Sequence, residues 1–96
     1  MTIVAILTVR KSAKDKFIEY ERNAARIMAR YGGRIERSVT IPGADEVYRE
    51  VHIVTFPDAD GLNRYQADPE LETLAADRAE AVVHTDLLVG EDEPLY

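Results

Sequence analysis

The chain has 96 residues, a formal net charge of −6 at pH 7 and no cysteine. The length suits one domain. The absence of cysteine excludes disulfides and thiolate zinc sites and suits a reducing cytoplasm. The acidic balance, without a basic stripe or a recognised motif, argues against nucleic-acid binding. The apolar N-terminal run is far shorter than the roughly 20 residues of a membrane span and no basic region precedes it, so we predict neither a signal segment nor a membrane contact.

The first half of the chain predicts a strand, a helix and a second strand. Residues 2–9 alternate so that both faces of the strand are apolar, as expected where a strand is covered on both sides. A capping-box-like start at Ser12 opens a long amphipathic helix that ends at Gly32 and Gly33. Residues 34–41 then suit an edge strand with one polar face. On its other face we expect Ile35, Arg37, Val39 and Ile41.

The second half predicts a returning strand, a broken helix and a last strand. A turn over residues 42–45 leads into a strand over residues 46–56, which pairs with the preceding strand as a hairpin. Asp58 is the N-cap of a short helix, and Asp68 is a second N-cap with proline at the first helical position. The helical stripe that follows leads into a last strand over residues 82–89.

The order β-α-β-β-α-β predicts an α+β fold of the ferredoxin-like split βαβ type, in which both helices pack on one face of a four-stranded antiparallel sheet. One domain spans residues 1–90, and residues 91–96 form a loose acidic tail. Because the first strand is central in this topology and apolar on both sides, the bare sheet face would expose a hydrophobic patch that monomers seldom tolerate. We therefore predict a homodimer whose open sheet faces pack together in a barrel-like assembly.

Four short motifs carry a resemblance to a known family. They are Tyr31-Gly32-Gly33-Arg34, Phe56-Pro57, Asp68-Pro69-Glu70 and Arg78. In this order and spacing, over most of residues 2–90, the chain resembles the family called domain of unknown function 1330. The resemblance implies a dimeric α/β barrel, in a superfamily with antibiotic-biosynthesis monooxygenases, muconolactone isomerases and small polyketide cyclases, and a cavity between the sheet and the helices. Tyr65 and Arg78 match pocket positions of that family, whereas Gln66 and Leu71 stand where aromatic residues are common.

Two acid–histidine pairs are candidates for chemistry. Glu50 and His52 are two residues apart on a predicted strand and therefore share a face. A carboxylate that orients a histidine suits a general base, and the pair could also supply two metal ligands, which are too few for a metal site. His84 and Asp86 repeat the spacing on the last strand. The alternative for both pairs is an exposed or interface histidine that is satisfied by a hydrogen bond.

Two arginines on apolar faces are candidate substrate-binding cations. Arg37 or Arg78 could receive a carboxylate or enolate oxygen, because a guanidinium offers two hydrogen bonds in one plane. Arg37 could instead reach water or pair across a subunit interface, and Arg78 could pair with Glu19 or Glu21 of the first helix. Tyr65 is a candidate to move a proton, although tyrosines at helical spacing more often fill a core with a wet hydroxyl.

Two hypotheses from different classes follow. In the first, the dimer is a cofactor-independent enzyme that isomerises, cyclises or oxygenates a small organic acid or polyketide-like molecule. An arginine binds an anionic oxygen, and His52 or Tyr65 moves a proton. This hypothesis requires a buried cavity with converging polar groups. In the second, the chain is a non-catalytic dimeric binding or accessory module whose interior is filled by side chains. The sequence contains neither a phosphate-binding glycine loop nor a nucleophile elbow, so neither hypothesis includes a nucleotide or a serine nucleophile.

Overall fold

The computed structural model of the protein describes all 96 residues. The strands are β1 (Thr2–Arg10), β2 (Arg34–Ile41), β3 (Val47–Thr55) and β4 (Val82–Gly90). The helices are α1 (Lys14–Ala29), α2 (Ala59–Gln66), α3 (Pro69–Glu72) and α4 (Ala75–Ala81), and a short 3-10 turn over Lys11–Ala13 precedes α1. None of the helices has the length and apolar character needed to cross a bilayer.

The four strands form one antiparallel sheet in the order β2-β3-β1-β4. This order confirms the predicted ferredoxin-like α+β fold, with β1 and β3 inside and β2 and β4 at the edges. The helices cover one face of the sheet, and we call the other face the open face. The alternation of β1 divides its side chains accordingly. Val4 and Ile6 are half-buried on the open face, whereas the fully buried side under the helices carries Ile3, Ala5, Leu7 and Val9.

Helix α1 supplies most of the core that packs on this side of the sheet. Its buried residues recur at helical spacing, as the amphipathic pattern predicts. They are Phe17, Tyr20, Ala24, Ile27 and Met28. The sheet and α1 together therefore define the layer in which a cavity can lie.

The start of α1 differs from the prediction, whereas the two later helix caps agree with it. Ser12 lies in the 3-10 turn and makes no cap, because the helix begins only at Lys14 and has Ala13 at its N-cap position. Asp58 accepts a hydrogen bond from the backbone N–H of Gly61 at 3.0 Å. The carboxylate of Asp68 likewise caps α3, accepting from the N–H of Glu70 at 2.7 Å.

A bulge at Glu36 changes the face of β2 partway along the strand. Ile35 pairs with Val54 on the helix-covered side, but the next paired residue is Arg37, opposite Ile53 on the open face. One extra residue in a strand moves every later side chain to the opposite face. The prediction that Ile35 and Arg37 share a face is therefore wrong, and Arg37, Val39 and Ile41 point away from the helices.

Glycines of the first motif make a close corner where α1 ends. Gly32 has a φ of +77°, and a Cβ there would lie 2.8 Å from Cγ of Pro57. At Gly33 a Cβ would overlap Met28 and the ring of Phe56, which would be 2.5 Å away. Glycine is therefore the residue that lets the end of α1 meet the strand-to-helix corner without displacement.

Polar contacts tie the same corner to the start of α3. The Tyr31 hydroxyl donates a 2.5 Å hydrogen bond to Asp68, and Arg30 lies 3.3 Å from the same carboxylate oxygen. Arg26 and Arg30 both bind the carboxylate of Glu70. The Tyr31 hydrogen bond is the main cause that lowers the pKa of Asp68, and the two arginines lower the pKa of Glu70. Three of the four family motifs thus stabilise this corner of the fold.

Candidate active site

A cavity of about 380 Å³ lies between the sheet and the helices. Twelve of its 17 lining residues are hydrophobic, two tyrosines among them, which is typical of a site for a small, partly apolar molecule. Several polar side chains converge on it from α1, β3, α2, α4 and β4. They are Tyr20, Glu21, His52, Tyr65, Gln66, Arg78 and Thr85.

His52 lies in the wall of this cavity between two carboxylates. The alternation of β3 turns Glu50 and His52 toward the helices, so the predicted shared face is observed. His52 Nε2 is 2.8 Å from Oε1 of Glu50, and His52 Nδ1 is 3.7 Å from Oε2 of Glu21. Ser38 donates a 3.1 Å hydrogen bond to the same Glu50 oxygen. Glu50 does not line the cavity itself, so its contact with a bound molecule would be indirect, through the orientation of His52.

Glu21 is the acidic group of the cavity, and the sequence did not single it out as a site residue. Burial is the main cause that raises its pKa, and the nearby carboxylate of Glu50 raises it further. His52 and Arg78 act in the opposite direction. In the sequence, the one signal that Glu21 could reach the cavity is its position directly after Tyr20, at the border of the apolar stripe of α1. A carboxyl group with a raised pKa is a stronger base than an ordinary carboxylate, which suits proton transfer in an apolar cavity.

Arg78 extends from α4 into the cavity. Its Nη2 donates a 2.5 Å hydrogen bond to the hydroxyl of Thr85 on β4. It forms no ion pair with any Asp or Glu side chain, so the predicted alternative, a pair with Glu19 or Glu21, is not observed. The guanidinium therefore faces the cavity with no carboxylate at ion-pair distance, while its charge still acts on Glu21 and partly offsets the raised pKa of that carboxyl.

Tyr65 lines the cavity from the α2 side. Its ring packs at a tilt against Phe56, with 5.8 Å between the ring centroids. Burial is the main cause that raises the pKa of its hydroxyl, and Tyr20 and Glu21 raise it further. A phenol with a raised pKa stays protonated and donates a hydrogen bond, so Tyr65 suits the holding of a ligand oxygen better than the role of a base.

Two candidates from the sequence lie outside the cavity. Arg37 is exposed on the open face, on the far side of the sheet from Arg78. His84 and Asp86 are 3.0 Å apart with exposed side chains, and their pairing with Thr8 and Ile6 places them on the open face as well. The structure therefore brings together His52, Tyr65 and Arg78, and it separates them from Arg37 and from the pair of His84 and Asp86. No group of three or more His, Cys, Asp or Glu side chains is arranged to hold a metal ion.

Solved structures share this fold over nearly the whole chain. SnoaB, a cofactor-independent oxygenase from Streptomyces nogalater, is 21% identical, with a TM-score of 0.63 over 96% of this chain and 93% of its own. RPA0582, a protein of unknown function from Rhodopseudomonas palustris, is 17% identical, with a TM-score of 0.72 over 96% and 84%. A provisionally assigned antibiotic biosynthesis monooxygenase from Nitrosomonas europaea is 15% identical, with a TM-score of 0.68 over 91% and 84%. The chain thus shares its α+β fold with these proteins, and identities this low show the fold alone.

Sequence comparison places the chain more narrowly. No curated protein matches it. The family model described as domain of unknown function (DUF1330) matches residues 2–91, which is nearly the whole chain. This match confirms the resemblance carried by the corner motifs and Arg78, and the protein therefore belongs to the DUF1330 family.

Proposed function

We propose that the protein is a cofactor-independent enzyme that moves a proton on a small organic acid or polyketide-like molecule bound in the cavity. The observation that carries the proposal is Arg78, a guanidinium that lines an apolar cavity without a carboxylate partner. The cavity itself favours this function over a non-catalytic module, for which we expected an interior filled by side chains.

The first step is the binding of an anionic oxygen. Thr85 accepts one hydrogen bond from Arg78 but is neutral, and no carboxylate forms a direct ion pair with the positive charge of the guanidinium. A carboxylate or enolate oxygen would compensate that charge and accept charge-assisted hydrogen bonds, which are roughly twice as strong as neutral ones. The protonated hydroxyl of Tyr65 offers a further donor from the α2 side of the same cavity.

The second step is the proton transfer. Glu21 takes a proton from a carbon beside a carbonyl, with His52 as the alternative base in the same wall. The C–H bond breaks, an O–H bond forms on Glu21, and the electron pair moves to the carbonyl oxygen, where Arg78 stabilises the negative charge. Return of the proton to another carbon completes an isomerisation. In a cyclisation the enolate carbon forms a C–C bond to a second carbonyl, whose π bond breaks, and the resulting oxyanion takes the proton back from Glu21. SnoaB, which shares the fold, is a cofactor-independent oxygenase, and an oxygenation would consume molecular oxygen at the same enolate.

Deuterium exchange tests the proton transfer directly. Phenylpyruvate and acetoacetate, which carry a carboxylate and an enolisable carbon, are incubated in D₂O and followed by proton NMR. We expect the wild type to accelerate exchange at the carbon beside the ketone, and Glu21→Gln to lower that acceleration about a hundredfold, the lower part of what a positioned base contributes. Glu19→Gln is the matched control, because Glu19 is exposed on the same helix. No acceleration by the wild type, or an equal loss in both variants, would contradict the proposal.

We also propose that the active form is a homodimer assembled through the open face. Apolar side chains dominate the centre of that face, and Val39 and Leu88 on its outer strands are 42% and 57% exposed. A second copy would bury this patch with its own, in a two-fold arrangement. The shared fold with dimeric α/β barrels supports the proposal. Sedimentation velocity at micromolar concentration tests it, and a monomeric wild type would contradict it.

A further inference from the structure

The cavity shares a wall with a second hollow on the outside of the molecule. This outer groove, of about 280 Å³, lies between α1 and the edge of the sheet. Glu21, His52 and Ile35 line both hollows, whereas Glu50 and Ser38 line only the outer groove. The wall between them therefore contains the acid–histidine cluster described above.

A chain of polar atoms crosses this wall. It runs from Glu21 across 3.7 Å to His52 Nδ1, from His52 Nε2 across 2.8 Å to Glu50, and across 3.1 Å to Ser38. The side chain of His52 is 6% exposed, whereas those of Glu21 and Glu50 are 20% and 18% exposed. The histidine is thus the least exposed group of a path that runs from Glu21, which lines both hollows, to Glu50 and Ser38, which line only the outer groove.

We propose that His52 is a proton relay between Glu21 in the cavity and Glu50 with Ser38 in the outer groove, an inference that rests on the proposed proton transfer at Glu21. When Glu21 holds a proton from the ligand, its O–H bond breaks and an N–H bond forms at His52 Nδ1. The Nε2–H bond breaks in turn, an O–H bond forms on Glu50, and Glu50 releases the proton to water in the groove. Glu21 regains its negative charge, and the reverse order delivers a proton to the cavity. Glu50 and Ser38 are positioning residues.

The geometry sets one condition on the first transfer. A separation of 3.7 Å is longer than a hydrogen bond, which is at most about 3.2 Å between heavy atoms. The flexible side chain of Glu21 must therefore approach His52, or one water molecule must bridge the two groups. The second contact, to Glu50, is already within hydrogen-bond distance.

Charged and polar groups on the neighbouring elements face this relay. Arg78 and Tyr65 face it from the cavity side, and Arg22 lines the outer groove. Tyr20 precedes Glu21 on α1 and also faces the cavity. Because Arg78 favours the ionised form of Glu21, a ligand anion that neutralises Arg78 would favour the proton-loaded state. Binding of an anionic ligand would thus favour the protonated form of Glu21, from which the relay starts.

NMR of the imidazole nitrogens in the ligand-free protein tests the relay. At neutral pH we expect Nε2 of His52 to carry a proton, because the carboxylate of Glu50 accepts a hydrogen bond from Nε2. In Glu50→Gln the amide oxygen still accepts that hydrogen bond but cannot take the proton. We therefore expect exchange of the Nε2 proton with water to slow about a hundredfold, the lower part of what a positioned base contributes.

Two further variants separate the relay from a purely structural role. Ser38→Ala, on the exposed edge strand β2, keeps both carboxylates and removes only the groove-side donor to Glu50, so we expect a smaller slowing. Asp86→Asn is the matched control, because Asp86 contacts His84 in the same spacing on the open face and should leave His52 unchanged. Absence of a proton on Nε2 of His52, or exchange in Glu50→Gln as fast as in the wild type, would overturn the relay.

The two proposals fail separately. If the Nε2 proton behaves as expected but phenylpyruvate and acetoacetate exchange no faster with the protein present, the relay path stands and the proposed function fails. If the wild type accelerates that exchange but Glu50→Gln leaves the His52 proton unaffected, the proposed function stands and the relay is wrong.

Discussion

Substitution of Gly33 by alanine tests the corner that forms one end of the cavity. The added Cβ would overlap Met28 and would lie 2.5 Å from two ring carbons of Phe56. Phe56 is a cavity wall residue that packs against Tyr65. The new methyl group must therefore displace a buried ring, and the displacement should reach the cavity.

The expected loss follows from two opposing effects. Overpacking a core costs about 1–3 kcal/mol, whereas replacing glycine by alanine stabilises by about 0.4–1 kcal/mol through the unfolded chain. We expect Gly33→Ala to lower the free energy of unfolding by about 1–2 kcal/mol, equivalent to a Tm lower by roughly 4–16 °C for a domain of this size.

Gly90→Ala is the matched control for this measurement. A Cβ at Gly90 meets no atom within 4 Å, so only the effect on the unfolded chain remains. Urea unfolding followed by circular dichroism compares the three proteins. A Gly33→Ala variant as stable as Gly90→Ala would refute the close packing of this corner.

Three other predictions concern the corner, the core and the open face. Asp68→Asn should destabilise the protein at pH 7, and the difference should shrink as the pH falls below about 4. The reason is that a carboxylate with a lowered folded pKa supplies its full stability above its unfolded pKa and loses it as the pH falls toward the folded pKa. Urea unfolding at pH 7 and pH 3 measures this, and an unchanged difference would contradict it. Tyr48→Phe should stabilise the protein by about 1 kcal/mol, because the buried hydroxyl of Tyr48 has no hydrogen-bond partner. A loss of stability in urea unfolding would show that this hydroxyl does have a partner. Val51→Glu should dissociate the proposed dimer, because Val51 lies between Ile6 and Val39 on the open face. Ile18→Glu on α1 is the control and should leave the dimer intact. Sedimentation velocity compares the two variants, and equal behaviour would place the interface elsewhere.

Local sequence signals were sufficient for the fold. The alternation of β1 and the stripe of α1 each predict one buried face, and the caps at Asp58 and Asp68 place the breaks in the second helical region. These signals act over a few residues and agree with one another, so the sheet order follows from them. The corner glycines carry the family resemblance for a packing reason, since Gly32 and Gly33 leave room for Pro57 and Phe56.

The candidate site was predicted less completely, for two physical reasons. Strict alternation placed Arg37 beside Ile35, but the bulge at Glu36 reverses the face of β2 between them, and nothing in the local sequence marks that extra residue. Glu21 reads as a solvent-facing charge on α1, and it becomes a cavity residue only because β3 brings His52 beneath it. Both features depend on how distant segments meet.

NMR of the arginine side chains during titration with phenylpyruvate shows whether Arg78 binds an anionic oxygen. If the oxygen binds at Arg78 in the cavity, the Nε–H signal of Arg78 should shift and saturate with ligand concentration. Arg37, on the open face, serves as the internal reference and should stay unchanged. An unchanged Arg78 signal at saturating ligand, or equal shifts at Arg37 and Arg78, would contradict the account.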